Sequence, residues 1–427
     1  MARERKVQDY DPVYSFLRHY VDLALKLSYR TIKYVGRERL PKDGAIIFAP
    51  NHTNALMDAM VILAMDHRPK VYVARADIFR DARSAKVLKY LKIMPIMRMR
   101  DGMEEVRKNN ETIECAVDVL RDKVPFCIFP EGTHQAKYSS LPLSKGIFRF
   151  AFQAQEPMPD MPLYIVPVGL RYGNFFRFRS TVRVQFGEPI NVGKFVAENS
   201  EYTPAEQMNM LKDLLDERMK KSIFYIPNDE NYDATYEICA AVAERGSRDI
   251  VATGNATVGR IQELKEKNPA AAAKLFEAGN EAARIRKAKN ISLNSVAKKR
   301  PMLSNIARAS MLLITLPYTL PAALLTSPQL LLCQTIFKKF KDQAFRNSVR
   351  FAMNLLLWPL LMVIYAIVAF ICLPWQWALP MSVLALPAPF VIHDAYKTAR
   401  LLVSDIKLSR DKSLKAKYRE IKDLLFN

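Results

Sequence analysis

The 427-residue sequence has few glycines and few cysteines, 13 and 5 in number. So little glycine excludes collagen-like repeats and glycine-rich low complexity. Five scattered cysteines do not suit a disulfide framework and are typical of a reducing compartment. The N-terminus, MARERKVQDYDP, has no apolar run behind its charges, so we expect no secretory signal peptide.

Acidic residues are also scarce, because 43 Asp and Glu stand against 64 Lys and Arg and leave a formal charge of +21. Such a charge is typical of proteins that bind nucleic acid or an anionic membrane. Two stretches without a single charged residue, 309–337 and 351–392, favour the membrane. About 18 apolar residues suffice to cross a bilayer. We therefore predict a phospholipid bilayer as a partner, and no nucleic acid.

Short apolar runs alternate with helical patterns between residues 41 and 190. The predicted strands are 45–49, 71–74, 125–129, 163–168 and 182–186. Strands that alternate with helices predict an α/β fold with a mostly parallel central sheet and flanking helices. The strands do not alternate strictly between apolar and polar residues, which is typical of strands covered on both faces.

Residues 13–35 carry apolar side chains at helical spacing, bordered by aromatic and basic residues. Two interpretations stay open for this predicted amphipathic helix. It either packs on the α/β domain or lies in the membrane interface.

The C-terminal apolar stretches are predicted to form membrane hairpins. Three prolines in 309–337 and basic residues on both of its flanks disfavour one straight crossing and favour a re-entrant or kinked hairpin. In the second stretch, 355–373 is long enough to span. The segment PWQWALP (374–380) is predicted to be an interfacial turn, from which 381–396 returns.

We divide the chain into five predicted parts and expect a membrane protein whose α/β domain lies on the cytoplasmic face. The parts are an N-terminal amphipathic segment 1–40, an α/β domain 41–200, a charged helical segment 201–308, membrane-embedded hairpins 309–396 and a basic tail 397–427.

The segment NHTNALMD follows the first predicted strand and opens a helix, with His52 in the loop and Asp58 in the helix. An aspartate can hold one tautomer of a histidine, which can then take a proton from an alcohol. Positions six apart face different sides of a helix, so the pair requires His52 to precede the helix. The alternative is structural, with Asn51 or Thr53 as a helix cap.

The segments FPEGTH (129–134) and LPLSKG (141–146) follow a predicted strand and lead into a helix. A Gly-Thr turn exposes backbone N–H groups, and a lysine near a helix start adds positive charge. Both features suit a phosphate. A plain turn is the alternative.

Taken in order, these segments resemble the conserved boxes of the glycerolipid acyltransferase family, the glycerol-3-phosphate and 1-acylglycerol-3-phosphate acyltransferases. The boxes are NHTNALMD, IMPIMR (93–98), FPEGTH with LPLSKG, and IVPVGL (165–170). The resemblance covers about residues 40–190. It implies an acyltransferase domain.

Two positions depart from the family pattern. Five residues, rather than four, separate His52 from Asp58, and His134 stands where many members have arginine. Both departures are similar to a branch that includes fungal-type glycerol-3-phosphate and dihydroxyacetone-phosphate acyltransferases. This favours a first-acylation acceptor. His134, Lys137 or Arg171 is expected to replace the missing arginine.

The resemblance implies a role for each matching residue. His52 would be the general base, Asp58 would orient it, and the alcohol would attack the acyl thioester directly. Glu131 would contact the acceptor's hydroxyls or brace its loop, and Pro167 would shape the acyl-donor side. The acceptor phosphate would be held by Gly132 and Thr133 together with Arg98 and Lys145. The implied substrate-binding residues are Arg98, Glu131, Gly132, Thr133, His134, Lys145 and Pro167.

The predicted function is the transfer of a fatty acyl group to the hydroxyl of glycerol-3-phosphate or dihydroxyacetone phosphate in phospholipid synthesis. The donor would be acyl-CoA or an acyl carrier protein thioester, with no cofactor and no metal. One alternative acceptor is 1-acylglycerol-3-phosphate or another lysophospholipid. A non-catalytic lipid-binding protein on the same fold is the alternative from another class.

Overall fold

The computed structural model of the protein describes residues 6–96, 109–243, 250–298 and 300–426. The chain divides into two compact units. The first comprises the described residues of Met1–Ile223 together with Phe340–Phe351, and the second comprises those of Phe224–Lys339 and Ala352–Asn427.

The first unit is built on a sheet of eight described strands. These strands are Tyr29–Val35 (β1), Ala45–Pro50 (β2), Val71–Arg75 (β3), Ile93–Ile96 (β4), Phe126–Cys127 (β5), Leu163–Tyr172 (β6), Ser180–Phe186 (β7) and Ile190–Asn191 (β8). Their order is β1-β7-β6-β2-β5-β3-β4, with β8 paired to β6. Only the β6–β7 and β6–β8 pairings are antiparallel. The predicted α/β fold with a mostly parallel sheet is confirmed.

Helices cover this sheet and bury its central strand β2 on both faces. They are Pro12–Ser28 (α1), Leu56–Leu63 (α2), Ala82–Tyr90 (α3), Asn109–Arg121 (α4), Gly146–Gln155 (α5), Val192–Glu198 (α6), Pro204–Ser222 (α7) and Gln343–Ala352 (α14). Helix α7, which begins at a capping box of Thr203 and Glu206, adds Leu211, Leu215 and Met219 to the core of the sheet domain.

The N-terminal segment differs from its prediction, because the helix ends at Ser28 and residues 29–35 form strand β1. The β-branched and aromatic side chains of YRTIKYV suit a strand, and β1 pairs with β7. In α1 the charged side chains of Arg18 and Asp22 are buried, whereas the apolar stripe is exposed. Phe16, for example, is 75% exposed. Helix α1 therefore packs on the domain, as one of its two interpretations expects, but through Arg18 and Leu25 rather than through the apolar stripe. The membrane-interface interpretation stays a prediction.

Among the described residues of the second unit, the regular secondary structure is helical. Its helices are Tyr232–Val242 (α8), Ile250–Lys267 (α9), Pro269–Ala288 (α10), Leu293–Lys298 (α11), Met302–Ile314 (α12), Leu316–Phe337 (α13), Trp358–Cys372 (α15), Trp375–Ala385 (α16), Ala388–Arg410 (α17) and Lys412–Phe426 (α18). One apolar cluster packs α8, α10 and α18 together around Ile238, Leu275 and Leu414. Another packs α13, α15 and α17 around Ala322, Trp358 and Ala388.

Two helices among the described residues are long and apolar enough to cross a membrane, Leu316–Phe337 and Gln343–Cys372. The latter joins α14 to α15 through a π-helical turn, Met353–Leu357. The pair α16 and α17, bent by 49°, would be a third if it forms one broken span. These apolar helices lie in the region predicted to be membrane-embedded.

The prolines of 309–337 differ in their effect. Pro317 follows a break at Thr315 between α12 and α13, whereas Pro321 and Pro328 do not break a helix as expected. Helix α13 runs without interruption through Pro321 and Pro328. Pro328 has no N–H for the carbonyl of Leu324, but the hydroxyl of Ser327 donates to that oxygen at 2.7 Å. A side-chain hydroxyl thus replaces the missing backbone donor.

The predicted interfacial turn at 374–380 is also shorter than expected. Pro374 precedes a helix that begins at Trp375 and contains Pro380, so the turn is confined to Leu373 and Pro374. Proline at the start of a helix is favourable because its fixed backbone angle suits that position.

Candidate active site

His52 and Asp58 meet at the carboxyl end of the central strand. β2 ends at Pro50, His52 lies in the loop that follows, and Asp58 lies in the first turn of α2. The Nδ1 atom of His52 is 2.8 Å from Oδ2 of Asp58. The side chain of Asp58 is fully buried and that of His52 is 18% exposed. The predicted pair is therefore assembled, with His52 ahead of the helix as its spacing requires.

Four hydrogen bonds fix the carboxylate of Asp58. Besides His52, the backbone N–H groups of Thr53 and Asn54 donate to Oδ2 at 2.7 and 2.6 Å. The hydroxyl of Tyr172, the last residue of β6, donates to Oδ1 at 2.7 Å. Burial raises the pKa of Tyr172 well above its usual value, so this hydroxyl keeps its proton and remains a donor.

This arrangement determines the tautomer of His52. Oδ2 of Asp58 already accepts two backbone N–H groups, so it acts as an acceptor toward the ring as well. The Nδ1 atom therefore carries the proton, and Nε2 is left with a lone pair. A ring in this state can take a proton from a hydroxyl group placed at Nε2.

The five-residue spacer between His52 and Asp58 is accommodated by Ala55. This residue precedes α2 with φ 47° and ψ −127°, a conformation that favours glycine. The kink turns the loop back over the first turn of the helix, so that the N–H groups of Thr53 and Asn54 point at Asp58. A strained backbone at a site of chemistry is typical where the surroundings hold one geometry.

A second loop, which follows β5, lies against His52. The rings of His52 and Phe129 are stacked, with centroids 4.1 Å apart. The backbone N–H of Gln135 donates to the carbonyl of His52 at 3.0 Å. Since β2 and β5 are parallel neighbours, their following loops meet at the same edge of the sheet.

Glu131 is a buried acid in this second loop. Burial raises its pKa to about 8, against the opposing effect of hydrogen bonds from the backbone N–H groups of His52 and Leu141. Its Oε1 atom is buried and has no hydrogen-bond partner among the residues that the structure describes. A carboxyl group with a pKa raised to this value is mostly protonated at pH 7, so it can both donate and accept a hydrogen bond.

His134 lies next to His52, with ring centroids 5.4 Å apart and the rings edge to face. Its Nε2 atom is 2.6 Å from Oδ2 of Asp342. The side chains of His134 and Asp342 are 19% and 45% exposed. The site thus contains a second pair of histidine and aspartate.

The other predicted substrate-binding residues are distributed more widely. Gly132, with φ 65°, and Thr133 form an exposed turn. Lys145 is exposed at the start of α5, and the N–H of Ser144 beside it donates to the carbonyl of Pro130. This bond ties the lysine's segment to the loop of Glu131.

Pro167 and Arg98 complete the set of predicted residues. Pro167 is buried within β6, where it pairs with Ala49. Since Pro50, the last residue of β2, pairs with Val168, Pro167 lies one position before the edge at which the loop of His52 begins. Arg98 is outside the described residues. The roles of all these residues stay predictions.

Three residues of the site were missed from the sequence. Tyr172 follows the recognised segment 165–170 by two positions, and its spacing of two from Leu170 could have placed both side chains on the same buried face of the sheet. Asn347 donates to Oδ1 of Asn54 at 3.1 Å, and Asp342 binds His134. Both lie about 200 residues or more from their partners, and no local spacing connects them.

Residues 31–171 match the family model described as Acyltransferase. This stretch contains both loops of the site. These residues are therefore an acyltransferase domain, and they resemble the glycerolipid acyltransferase family. The resemblance predicted from the ordered boxes is thereby confirmed.

Curated relatives are similar to this acyltransferase domain over short lengths. Glycerol-3-phosphate O-acyltransferase 2 of Saccharomyces cerevisiae is 33% identical over 134 residues, which are 31% of this chain and 18% of that protein. Glycerol-3-phosphate O-acyltransferase 1 of the same yeast is 35% identical over 89 residues, 21% of this chain and 12% of that protein. The chain thus covers less than a fifth of the length of these relatives.

Among solved structures, the 1-acyl-sn-glycerophosphate (LPA) acyltransferase PlsC from Thermotoga maritima aligns with 48% of this chain and 79% of its own. The identity is 20% and the TM-score is 0.33.

Proposed function

We propose that the protein is a membrane-bound O-acyltransferase that moves a fatty acyl group from a thioester to the free hydroxyl of glycerol-3-phosphate. The observation that carries this proposal is the pair His52–Asp58, held at 2.8 Å in the same site as the buried acid Glu131. Membership of the acyltransferase family supports the reaction type. The names of the yeast relatives support the acceptor.

In the proposed reaction, Nε2 of His52 takes the proton of the acceptor hydroxyl while the oxygen attacks the thioester carbonyl carbon. The resulting imidazolium is stabilised by the charge of Asp58 at 2.8 Å. The C–S bond then breaks, and the thiolate leaving group takes the proton from the imidazolium. No covalent intermediate with the enzyme and no cofactor is needed. The donor would be acyl-CoA or an acyl carrier protein thioester.

The acceptor would contact the second loop. Oε1 of Glu131 is buried without a described partner, and it would hydrogen-bond a second hydroxyl of the glycerol unit. The exposed turn of Gly132 and Thr133, with His134 and Lys145, would hold the phosphate. A neutral Glu131 also avoids the repulsion that a second carboxylate would exert on an anionic acceptor.

The membrane would hold the catalytic domain near its product. The apolar stripe of α1, which includes Val13, Phe16 and Leu23, is exposed and would lie in the bilayer interface. Exposed Lys26 and Arg30 next to it would contact anionic headgroups, each contributing about 1 kcal/mol near the surface. The basic segments on either side of α13 would keep this domain on the cytoplasmic face.

The test uses the full chain purified into anionic lipid nanodiscs with labelled acyl-CoA. The acceptors are glycerol-3-phosphate, dihydroxyacetone phosphate, 1-acylglycerol-3-phosphate and glycerol. We expect the highest kcat/KM with glycerol-3-phosphate and a loss of at least about 10³-fold in His52→Ala. Preference for 1-acylglycerol-3-phosphate would replace the proposed acceptor.

Two outcomes would refute the enzymatic proposal itself. If no acceptor is acylated with either acyl-CoA or an acyl carrier protein thioester, the lipid-binding alternative is correct. If His52→Ala retains full activity, the base is another residue. His67→Ala is the matched control, because His67 lies on the surface and is expected to leave activity unchanged.

A further inference from the structure

The carboxylate of Asp342 reaches the site from a distant part of the chain. It lies 208 positions after His134, and its Oδ2 atom is 2.6 Å from Nε2 of that ring. Its other oxygen, Oδ1, accepts the backbone N–H of Ala344 at 2.8 Å and so caps α14. The two oxygens of Asp342 therefore have separate partners, and the helix start aims one of them at His134.

Three further contacts hold the segment Phe340–Phe351 against the acyltransferase domain. The ring of Phe345 meets the ring of His134 edge to face, with centroids 5.7 Å apart. Asn347 donates to Asn54 in the loop of His52. Arg350 donates to the carbonyl of Phe176 at 3.0 Å. With anchors along its length, the segment fixes Asp342 in place.

The charge of Asp342 is also maintained. Partial desolvation would raise its pKa, but hydrogen bonds from the N–H of Ala344 and from His134 outweigh it and hold the pKa below its usual value. The carboxylate is thus ionised at neutral pH, and it accepts the proton of His134 Nε2. The second ring nitrogen, Nδ1, is left for another partner.

We propose that Asp342 is a positioning residue: its carboxylate orients His134 through Nε2 and offsets the positive charge that the ring carries when Nδ1–H binds the anionic group of the acceptor. This inference rests on the proposed function and adds to it the device by which a phosphate monoester is held. Many family members have arginine at this position, whose guanidinium needs no carboxylate to stay charged. A histidine at this position contacts the carboxylate of Asp342, which both orients the ring and balances the charge of a ring that binds an anion.

The proposal is tested by a double-substitution cycle in the full chain. Asp342→Asn keeps an oxygen that can cap α14 but removes the charge. We expect it to raise the KM for glycerol-3-phosphate about tenfold while kcat and the KM for the acyl donor stay within about twofold. In a His134→Arg background the same change is expected to leave that KM unaltered, because the guanidinium does not depend on Asp342.

Asp411→Asn is the matched control. Asp411 caps α18 through the N–H of Leu414, as Asp342 caps α14, but it belongs to the second unit and does not contact His134. We expect its KM for glycerol-3-phosphate to equal that of the unsubstituted protein. Thermal melts of all variants separate a binding defect from a loss of folding.

The outcomes distinguish this inference from the proposed function. An active protein whose acceptor KM is unchanged by Asp342→Asn refutes the role of Asp342 alone, as does an equal loss in the His134→Arg background. A fall in kcat without a change in KM assigns the pair to proton transfer instead and also refutes it. If the protein acylates no acceptor, calorimetric binding of glycerol-3-phosphate to the same variants still decides the role of Asp342.

Discussion

The first unit contains two pairs of histidine and aspartate that share the same side-chain chemistry but differ in burial and in their separation along the chain. His52 and Asp58 are six residues apart, and the aspartate is fully buried with four hydrogen bonds. His134 and Asp342 are 208 residues apart, and Asp342 is 45% exposed with two hydrogen bonds. A buried charge is screened little by water or salt, whereas an exposed one is screened strongly. The first pair is therefore suited to stabilising charge during a reaction, and the second to orienting a group that binds.

The largest expected difference between the pairs is in catalysis. In Asp58→Asn, the N–H groups of Thr53 and Asn54 keep the amide oxygen toward His52, so the ring stays in place while its counter-charge is lost. We expect kcat to fall about 10²–10⁴-fold. Steady-state kinetics of Asp58→Asn and Asp342→Asn, measured under the same conditions, compare the two pairs. The kcat of Asp342→Asn should hardly change. Equal effects of the two substitutions on kcat would abolish the distinction.

The next effect concerns the pH dependence of stability and arises from Glu131, the buried acid in the loop that follows β5. Its pKa of about 8 exceeds the ordinary value of 4.5, so between these pH values the folded state binds more protons than the unfolded state. The free energy of unfolding contributed by this group therefore falls as pH rises from 4.5 to 8. Glu131→Gln should remove that fall, a difference of a few kcal/mol at most.

Urea unfolding of the detergent-solubilised protein at pH 5 and pH 8 checks this expectation. The same change at Glu217, an exposed glutamate, is the control and should leave the pH dependence of stability unaltered. If Glu131→Gln and the unsubstituted protein lose stability equally between these pH values, Glu131 is ionised in the folded state.

A smaller effect is expected from Tyr172→Phe, which removes one of the four hydrogen bonds of Asp58. The backbone carbonyl of residue 172, which accepts from Tyr138, is retained. A buried carboxylate oxygen left without its donor should destabilise the fold by about 1–3 kcal/mol and lower kcat about tenfold. The melting temperature reports the loss of stability, and kcat reports the loss of activity. An unchanged kcat would mean that three hydrogen bonds suffice to orient the pair.

The smallest effect concerns the loop that brings the first pair together. Ala55→Gly should stabilise the protein by about 0.5–1 kcal/mol, because glycine adopts φ 47° without strain. Ala59→Gly within α2 is the matched control and should destabilise by a similar amount. Denaturant midpoints of the two variants show whether each substitution stabilises or destabilises the protein. Destabilisation by Ala55→Gly would show that the loop is held without strain.

What could be predicted from the sequence also differs between the two pairs, because the first pair is local in the chain and the second is not. The strands β2, β3, β5, β6 and β7 were predictable because short, bounded apolar runs report local structure. His52 and Asp58 were predictable because a strand, a loop and a helix place them within one turn of each other. β1 was mistaken for helix, since the apolar spacing of α1 runs on into YRTIKYV without a break. No local pattern could connect Asp342 or Asn347 to the site, since only the folded chain brings them to His134 and Asn54.

The docking of Phe340–Phe351 has a consequence for the order in which the site is completed. A ribosome that has finished the four boxes, the last of which ends at residue 170, has made His52, Asp58 and His134. It must still add 172 residues before Asp342 exists. The uncharged stretch 309–337 is synthesised in that interval. A nascent or shortened chain that ends before residue 340 would therefore carry all four boxes of the family and yet lack Asp342. The segment that contacts His134 is added only after the first apolar stretch has been made.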